Sequence, residues 1–548
     1  MAAPNSQSPS VRTHFKTPEG RYKLVKEKTH PAGIIHYNHN KANNPQAKVE
    51  AWQVTLAHLK EKPAHTPPTS SSSSSSGGVG ARFSAVRLLG GSGNGSRGLG
   101  FGGANLTTRM GGGNKGSTPT VGLGINNGPM ASSYDGEGTY IIYNIADTIF
   151  VSDYHSQDKD PVKCFQITPI PLCHTFDPDA KDGHDFLVGL VSGDVYSASL
   201  RQQLQDPGKK IVSATHYSKD ASIVPNRLEN RCTVVAWVPQ CEGKFLSANA
   251  DGNIYIYDKN KEGSGDVAFP PLKEGAPFSV AHAKSTKSNP IARWHVCNGA
   301  INGVAFSPNG MYMAVVGRDG YLRVFDYDKE LLVCGSKSYF GSLLCCAWSP
   351  DGKYVLTGGE DDLVQVWSME DQRVVAWGEG HNSWVSAVSF DPYWSAPPSD
   401  ETGESVTYRF GSVGQDTQLL LWDLAMDEVV VPLRKLGGTL SGSPVYSSGG
   451  QSAQWEGAQQ VGQLHPAPVR KEVPKLAPVM AHRVHAEPLA GLVFTKEAIL
   501  TSCHEGHVKV WERPGPQGDS PASNSDNSVV VSKEKQQLVK SGLSQFKQ

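Results

Sequence analysis

A three-strand unit that recurs about every forty-two residues limits what this chain can fold into. In residues 342–368, three short apolar runs are separated by two tight polar turns, which is the pattern of a small antiparallel sheet. Trp367 lies forty-two residues after Phe325, and Trp348 lies forty-two residues after Phe306. One such sheet is too small to bury its own faces. The repetition therefore predicts several copies that pack together as the blades of a β-propeller.

An acidic residue precedes the terminal aromatic residue of these copies by six positions. The five acids at this spacing are Asp251, Asp319, Asp361, Asp416 and Glu505. We favour a structural role for them, because a carboxylate can stabilise a tight turn through local hydrogen bonds. The alternative is that the turns at one end of the propeller form a binding face.

The copies predict seven blades. Six of them begin near residues 172, 232, 301, 342, 384 and 488. The copy at residue 172 is degenerate and has Ser192 in place of the acid. FSAVRLL at residues 83–89, followed by TYIIYN and TIFVSDY, predicts the strands of a seventh blade on the amino-terminal side.

Composition divides the rest of the chain. The predicted segments are a basic arm at 1–82 with a possible closing strand near 21–25, a possible strand and Gly-rich tract at 83–138, the propeller at 139–512, and a disordered tail at 513–548. Complete disorder of residues 1–80 is the open alternative. Insertions interrupt the propeller at 259–298, 392–405 and 425–481, and we expect the last to be an exposed, mobile loop.

The totals favour a protein of the cytoplasm and nucleus. A formal net charge of -1 gives no reason to expect nucleic acid or an anionic membrane as a partner. The nine cysteines are scattered, mostly within apolar runs, which is typical of reduced core residues rather than of a disulfide framework. No apolar run approaches the roughly 18 residues of a membrane-spanning helix, so no membrane association is expected.

We expect no catalytic, cofactor-binding or metal site. Residues 93–98 fit the GxGxxG spacing, but Gly and Ser follow instead of a helix. Cys345 and Cys346 lack the spacing of zinc ligands. His381 could act as a general base, but a structural role as a hydrogen-bonding residue is favoured.

Two large aromatic residues lie in loops that enter a blade, where the core does not require them. Phe340 occurs in KSYFGSLL and Trp384 in GHNSWVSAV. Exposed aromatic residues flanked by polar ones are typical interface anchors, although both rings could instead tuck between neighbouring blades. Arg318 and Glu360 directly precede turn acids and differ in charge, so we predict that they join Phe340 and Trp384 in binding a partner.

The end of the repeat resembles a known family. Trp422-Asp423, Trp511-Glu512 and Gly380-His381, with the acid six residues before each Trp, resemble WD repeats. Such repeats form four-stranded blades. Over residues 139–512 the resemblance implies an all-β fold, a seven-bladed WD40 β-propeller, but the same fold serves many partners.

Longer stretches resemble one group within that family. HFKTPEGRYKLV, GRDGYLRVFDYDKELL, GHNSWVSAVSFDPY and TYRFGSVGQDTQLLLWDL are similar to the CreC-like proteins: fungal carbon-catabolite-repression CreC, the dystrophia-myotonica WD-repeat protein and animal WD-repeat partners of ubiquitin-specific proteases. The resemblance covers residues 12–512. It implies a noncatalytic subunit that binds and activates a ubiquitin-specific protease away from its catalytic Cys, in some cases together with a second WD-repeat protein.

The alternative function is a substrate receptor of a cullin-RING ubiquitin ligase. WD-repeat receptors of that class resemble one another in carrying Arg two residues after Trp-Asp. Here Leu424-Ala425 follows the first pair and Arg513-Pro514 follows the second, which disfavours the ligase hypothesis. A general protein-interaction scaffold is a further alternative, and an enzyme is disfavoured because no catalytic set of residues stands out.

Overall fold

The described part of the chain is almost entirely β-structure. The computed structural model describes residues 13–28, 53–60, 137–156, 160–181, 183–219, 230–261, 263, 269–270, 278–395, 407–425 and 462–515. Its helix α1 (Leu200–Gln205) has six residues. Within these ranges, no helix has the length and apolar character needed to cross a bilayer. The predicted strand at 83–89, the glycine motif at 93–98 and the Gly-rich tract lie outside the described residues.

The described strands form seven sheets, one of which includes an N-terminal hairpin. The hairpin consists of β1 (His14–Thr17) and β2 (Gly20–Lys28). Blade 1 contains β3 (Val54–Leu59), β4 (Gly138–Ile145), β5 (Thr148–Asp153) and β6 (Lys163–Gln166). Blade 2 contains β7 (Pro171–Phe176), β8 (Phe186–Leu190), β9 (Val195–Ala198) and β10 (Thr215–Tyr217).

Blades 3 to 5 have five strands each. Blade 3 contains β11 (Cys232–Trp237), β12 (Lys244–Asn249), β13 (Asn253–Asp258), β14 (Ser279–His282) and β15 (Ala292–His295). Blade 4 begins with β16 (Ile301–Phe306), β17 (Tyr312–Gly317), β18 (Tyr321–Asp326) and β19 (Leu331–Lys337). Blade 5 begins with β20 (Leu343–Trp348), β21 (Tyr354–Gly359), β22 (Leu363–Ser368) and β23 (Arg373–Glu379).

Later segments complete the remaining blades. Blade 6 contains β24 (Val385–Phe390), β25 (Thr407–Gly414) and β26 (Gln418–Ala425). The following strands are β27 (Gln463–His465) at the edge of blade 4, β28 (Lys475–Leu476) at the edge of blade 5 and β29 (Met480–Arg483) at the edge of blade 6. Blade 7 contains β30 (Leu489–Phe494), β31 (Ala498–Cys503) and β32 (Val508–Glu512), with β2 and β1 outside them.

The first strand of each blade lines the centre of a closed ring. These inner strands contact one another in the order β3, β7, β11, β16, β20, β24 and β30, and β30 contacts β3 again. The six predicted blade starts fall within one residue of the inner strands of blades 2 to 7. The prediction of an all-β, seven-bladed propeller is therefore confirmed.

The terminal aromatic residues of the repeat form the core between blades. The rings of Tyr257, Phe325, Trp367, Trp422 and Trp511 are all essentially inaccessible to solvent. They lie on the third strand of their blades and pack against apolar residues of the adjoining blade. Burying one such aromatic side chain contributes about 2–3 kcal/mol, which explains why the repeat has a large ring at this position.

The N-terminal hairpin closes the ring. Strand β2, which includes residues 21–25, pairs antiparallel with β32, where Leu24 lies opposite Trp511. Phe15 stacks on Tyr22 at 4.8 Å and lies 5.4 Å from the Trp511 ring. Arg513, directly after β32, pairs with Asp391 at 2.8 Å. The ordered chain therefore extends past residue 513, the predicted start of the tail.

Two predictions about strand assignment are wrong. The inner strand of blade 1 is Val54–Leu59, not residues 83–89: it pairs with β4 along its whole length, and Ala57 and Leu59 are buried. The last insertion, predicted to be a mobile loop, forms strands over its described residues 462–481, which lie against blades 4 to 6. The insertion at 259–298 contains the two outer strands of blade 3. Their backbone groups bond to sheet edges, which a mobile loop would leave unpaired.

Candidate protein-interaction face

One end of the propeller carries every residue that the sequence nominates for binding. The chain crosses this end wherever an outer strand leads into the next inner strand, and at each turn between a second and third strand. We call the part formed by blades 4 to 6 the top face. It comprises residues 318–320, 338–342, 360–362, 380–384 and 415–417.

The turn acids bind the backbone of the strand that follows them. The Oδ1 atom of each aspartate accepts a hydrogen bond from the amide two residues later. The donors are Asn253 for Asp251 at 3.0 Å, Tyr321 for Asp319 at 3.2 Å, Leu363 for Asp361 at 3.3 Å and Gln418 for Asp416 at 3.2 Å. Glu505 occupies the equivalent turn of blade 7. A recurring local bond of this kind accounts for the fixed spacing between acid and aromatic residue.

His381 belongs to a buried hydrogen-bonded set in blade 6. Its Nδ1 lies 2.9 Å from Asp416 Oδ2, and its Nε2 lies 2.8 Å from Ser412 Oγ, which also accepts a bond from Trp422 Nε1 at 2.8 Å. Burial would raise the pKa of Asp416, but the hydrogen bonds from His381 and from backbone amides lower it. Both ring nitrogens of His381 are engaged by side chains of blade 6, as expected for a structural role.

Blade 7 repeats most of this arrangement. His485 Nε2 lies 2.9 Å from Thr501 Oγ1, to which Trp511 Nε1 donates at 3.0 Å. Burial, with the nearby Lys509 and His507 side chains, lowers the pKa of His485 to about 3. This histidine is therefore a neutral member of the core rather than a general base.

The Phe340 loop is ordered from beneath by the turn of blade 5. Tyr339 N donates to Asp361 Oδ2 at 3.1 Å, and Ser342 N donates to Glu360 Oε2 at 2.9 Å. Burial raises the pKa of Asp361 to about 6, although several backbone amides oppose the shift. The Phe340 ring itself is 70% exposed. The loop therefore has a fixed backbone and a solvent-facing aromatic ring.

Gly341 allows this close approach. Its φ is +64°, and a Cβ atom there would lie 2.8 Å from the Cβ of Glu360. The left-handed conformation favours glycine, and the distance leaves no room for a side chain. Glu360 therefore supports the neighbouring loop with one oxygen while its side chain remains partly accessible.

Trp384 lies in the next loop of the same class. Its side chain is 43% exposed, and its carbonyl accepts a bond from Gln415 N at 2.9 Å. Asn382 N donates to Asp416 Oδ2 at 3.0 Å. This support has the same form as that of the Phe340 loop. With both rings exposed, the alternative in which they tuck between blades is wrong.

Charged side chains surround the two rings. Arg318 is exposed on the turn of blade 4 and lies near Arg231. Burial together with the Arg318 charge lowers the pKa of Arg231. On the other side, burial and the nearby Asp416 carboxylate raise the pKa of Asp362. This end of the propeller thus has a basic side at blades 3 and 4 and an acidic side at blade 5.

The sequence analysis did not nominate Tyr339 or Arg470. Tyr339 directly precedes Phe340 and is 49% exposed, so the adjacent aromatic pair in KSYFG was the available signal. The guanidinium carbon of Arg470 lies 5.5 Å from the centroid of the Tyr339 ring. No local pattern could reveal that contact, because the two residues are more than one hundred positions apart.

Comparison with a protein-family model and with a related protein supports this architecture. The family model described as WD domain, G-beta repeat, matches residues 288–326 and 329–368. Each match spans the outer strand of one blade and the first three strands of the next. WD repeat-containing protein 20 of Mus musculus is 33% identical over 473 residues, covering 63% of this chain and 81% of the relative. A chain from the crystal structure of the mitotic checkpoint complex is 12% identical with a TM-score of 0.43, covering 68% of this chain and 84% of that one.

Proposed function

Because this chain belongs to the WD-repeat family, we propose that it is a noncatalytic scaffold subunit that binds a ubiquitin-specific protease and activates it. The choice of protease follows from the resemblance to the CreC-like group. The observation that carries a binding role for the top face is the pair of exposed aromatic rings, Phe340 and Trp384, on consecutive loops. The proposed setting is the cytoplasm and nucleus.

The support beneath each ring favours tight binding. A loop that becomes ordered only on association loses conformational entropy, which weakens the complex. Here Asp361 and Asp416 already hold the two loops through backbone amides. Burial of rigid aromatic anchors at the centre of an interface typically supplies a large share of its binding energy.

The charges beside the rings favour a partner surface with both signs. Arg318 would pair with an acidic group, and Asp362 with a basic group. Complementary charges at the rim of an interface increase the association rate and fix the orientation of the partner. We therefore expect salt to slow association more than it speeds dissociation.

Activation would follow from unequal affinity for two states of the protease. A propeller that binds the active conformation more tightly than the inactive one shifts the population toward activity. It need not touch the catalytic Cys, and the same protease could bind a second WD-repeat protein elsewhere. Reciprocity requires that a ligand stabilising the active protease also tighten its hold on the propeller.

Copurification with candidate ubiquitin-specific proteases, followed by cleavage of a ubiquitin reporter, tests the proposal. Replacing both Phe340 and Trp384 with Ala should weaken binding at least thirtyfold, since loss of an anchor costs about 2 kcal/mol or more. Tyr393→Ala is the matched control, because Tyr393 is 54% exposed at the opposite end of blade 6. Unchanged binding by the double variant, or capture of a cullin-RING ligase instead of a protease, would contradict the proposal.

A further inference from the structure

Part of the last insertion returns to the outer edges of blades 4 and 5. We call residues 462–476 the strap. Strand β27 pairs in parallel with β19, and β28 pairs in parallel with β23. Gly462 N donates to Val333 O at 3.0 Å, and Trp377 N donates to Pro474 O at 2.9 Å. The strap is therefore attached by backbone hydrogen bonds at both of its ends.

Apolar contacts reinforce both attachments. Leu464 packs against the core between blades 3 and 4. Val473 and Leu476 are buried, in the clusters between blades 4 and 5 and between blades 5 and 6 respectively. Short strands alone would hold weakly, but buried side chains at each end fix the segment between them, which includes Arg470.

Arg470 connects the strap to the end of blade 5. Its Nε donates to Glu379 Oε1 at 2.8 Å, while Lys475 Nζ donates to the other oxygen, Oε2, at 3.0 Å. Burial alone would raise the pKa of Glu379, but the bonds from these two cations lower it. Glu379 is the last residue of β23 and lies directly before the loop that carries Trp384.

The same guanidinium also faces the Phe340 loop. It lies 5.5 Å from the ring centroid of Tyr339, the residue whose amide is held by Asp361. A cation over an aromatic face is attracted by the ring quadrupole. Arg470 thus holds from the side a loop that Glu360 and Asp361 hold from beneath.

We propose that Arg470 is a positioning residue for the partner-binding face: through Glu379 and the Tyr339 ring, the strap fixes the loop that presents Phe340. The inference rests on the proposed function in that Phe340 contacts the partner. Lys475 provides a matched comparison, because it bonds the same carboxylate as Arg470. No aromatic contact is assigned to Lys475 among the described residues.

Amide hydrogen exchange on the full-length chain tests the positioning role without a partner. Exchange of a protected amide reports the free energy of local opening. Arg470→Gln should speed exchange at Tyr339 and Ser342 by about two- to fivefold, the range expected for loss of one exposed cation–π contact. Lys475→Gln should leave both rates unchanged. Unchanged exchange in Arg470→Gln, or an equal increase in Lys475→Gln, would overturn the inference.

Binding to the copurified protease gives the second readout. Arg470→Gln and Tyr339→Leu should each lower affinity about two- to fivefold, and the double variant should lose no more than either single one. Tyr339→Phe retains the ring and should bind like the wild type. Additive losses in the double variant would overturn the coupling. If the variant with both Phe340→Ala and Trp384→Ala binds normally, the proposed function fails, and the exchange experiment alone then decides the role of Arg470.

Discussion

Replacing Arg409 should loosen the closure of the ring. Arg409 lies on β25 of blade 6, with its side chain 1% exposed. It pairs with Asp423 on β26 and with Glu19 in the turn between β1 and β2, and its guanidinium lies 4.2 Å from the ring centroid of Trp394. Arg409→Met keeps most of the side-chain volume but leaves both carboxylates without this cation.

The expected loss follows from the exposure of those carboxylates. Removing one partner of a fully buried ion pair costs about 3–5 kcal/mol. The side chains of Asp423 and Glu19 are 29% and 25% exposed, so water can solvate them in part, and the cost falls to about 2–3 kcal/mol. Loss of the contact with Trp394 adds about 0.5–1 kcal/mol. We therefore expect a destabilisation of about 3 kcal/mol.

Thermal unfolding of the full-length chain provides the assay. Applied to the roughly 330 residues that the structure describes, an unfolding entropy of about 2.1 cal/mol/K per residue converts 3 kcal/mol into a Tm lowered by about 4 °C. Lys329→Met is the control, because Lys329 also pairs with an aspartate but is largely exposed; its Tm should stay within about 1 °C of wild type.

Arg409 has one acidic partner in the N-terminal hairpin, Glu19, and one within blade 6, Asp423. Replacing Glu19 alone therefore tests the closure of the ring separately from the packing of blade 6. Glu19→Gln removes the negative charge that pairs the N-terminal hairpin with Arg409 of blade 6, so it should expose the hairpin to limited proteolysis with a smaller change in Tm. An Arg409→Met protein that melts within 1 °C of wild type would show that the buried cation contributes no net stability, and the reasoning would be refuted.

Two further predictions concern the Phe340 loop. Gly341→Ala should weaken partner binding at least tenfold while leaving Tm nearly unchanged, because a Cβ would collide with Glu360 and the φ of +64° is unfavourable for alanine; wild-type affinity in a binding titration would contradict this. Burial raises the pKa of Asp361 from about 4 to about 6, so the folded protein holds this proton more tightly than the unfolded chain. The stability contributed by this group therefore falls as pH rises from about 4 to 6 and is level above that range. The Tm of the wild type, relative to that of Asp361→Asn, should fall over the same interval. A Tm difference between the two proteins that is independent of pH would count against the raised pKa.

The repeat could be predicted because its determinants are local. An acid that bonds an amide two residues later, and an aromatic ring six residues after that acid, leave a fixed pattern in the sequence. Phe340 and Trp384 could be nominated for the same reason, because each occupies a defined position before an inner strand.

The remaining elements depend on contacts between distant parts of the chain. Strand β3 pairs with β4 across a separation of about eighty residues, and VTLAHL at 54–59 has no turn acid or terminal aromatic to identify it. The strap pairs in parallel with β19 and β23, so neither hairpin spacing nor loop length indicates its partners. Arg470 could not be nominated for the same reason.

The turn acids connect the sequence repeat with the loops of the top face. In blades 5 and 6, Oδ1 of the aspartate caps its own turn, while Oδ2 holds an amide of the loop that enters the same blade, Tyr339 N for Asp361 and Asn382 N for Asp416. Since these bonds involve only backbone groups of the loop, the side chains at positions 340 and 384 can change without loss of support. The residue that makes the repeat recognisable therefore also holds the recognition loop in place. Specificity can reside in rings such as Phe340 and Trp384, and the strap adds a lateral contact at Tyr339 that the repeat itself does not provide.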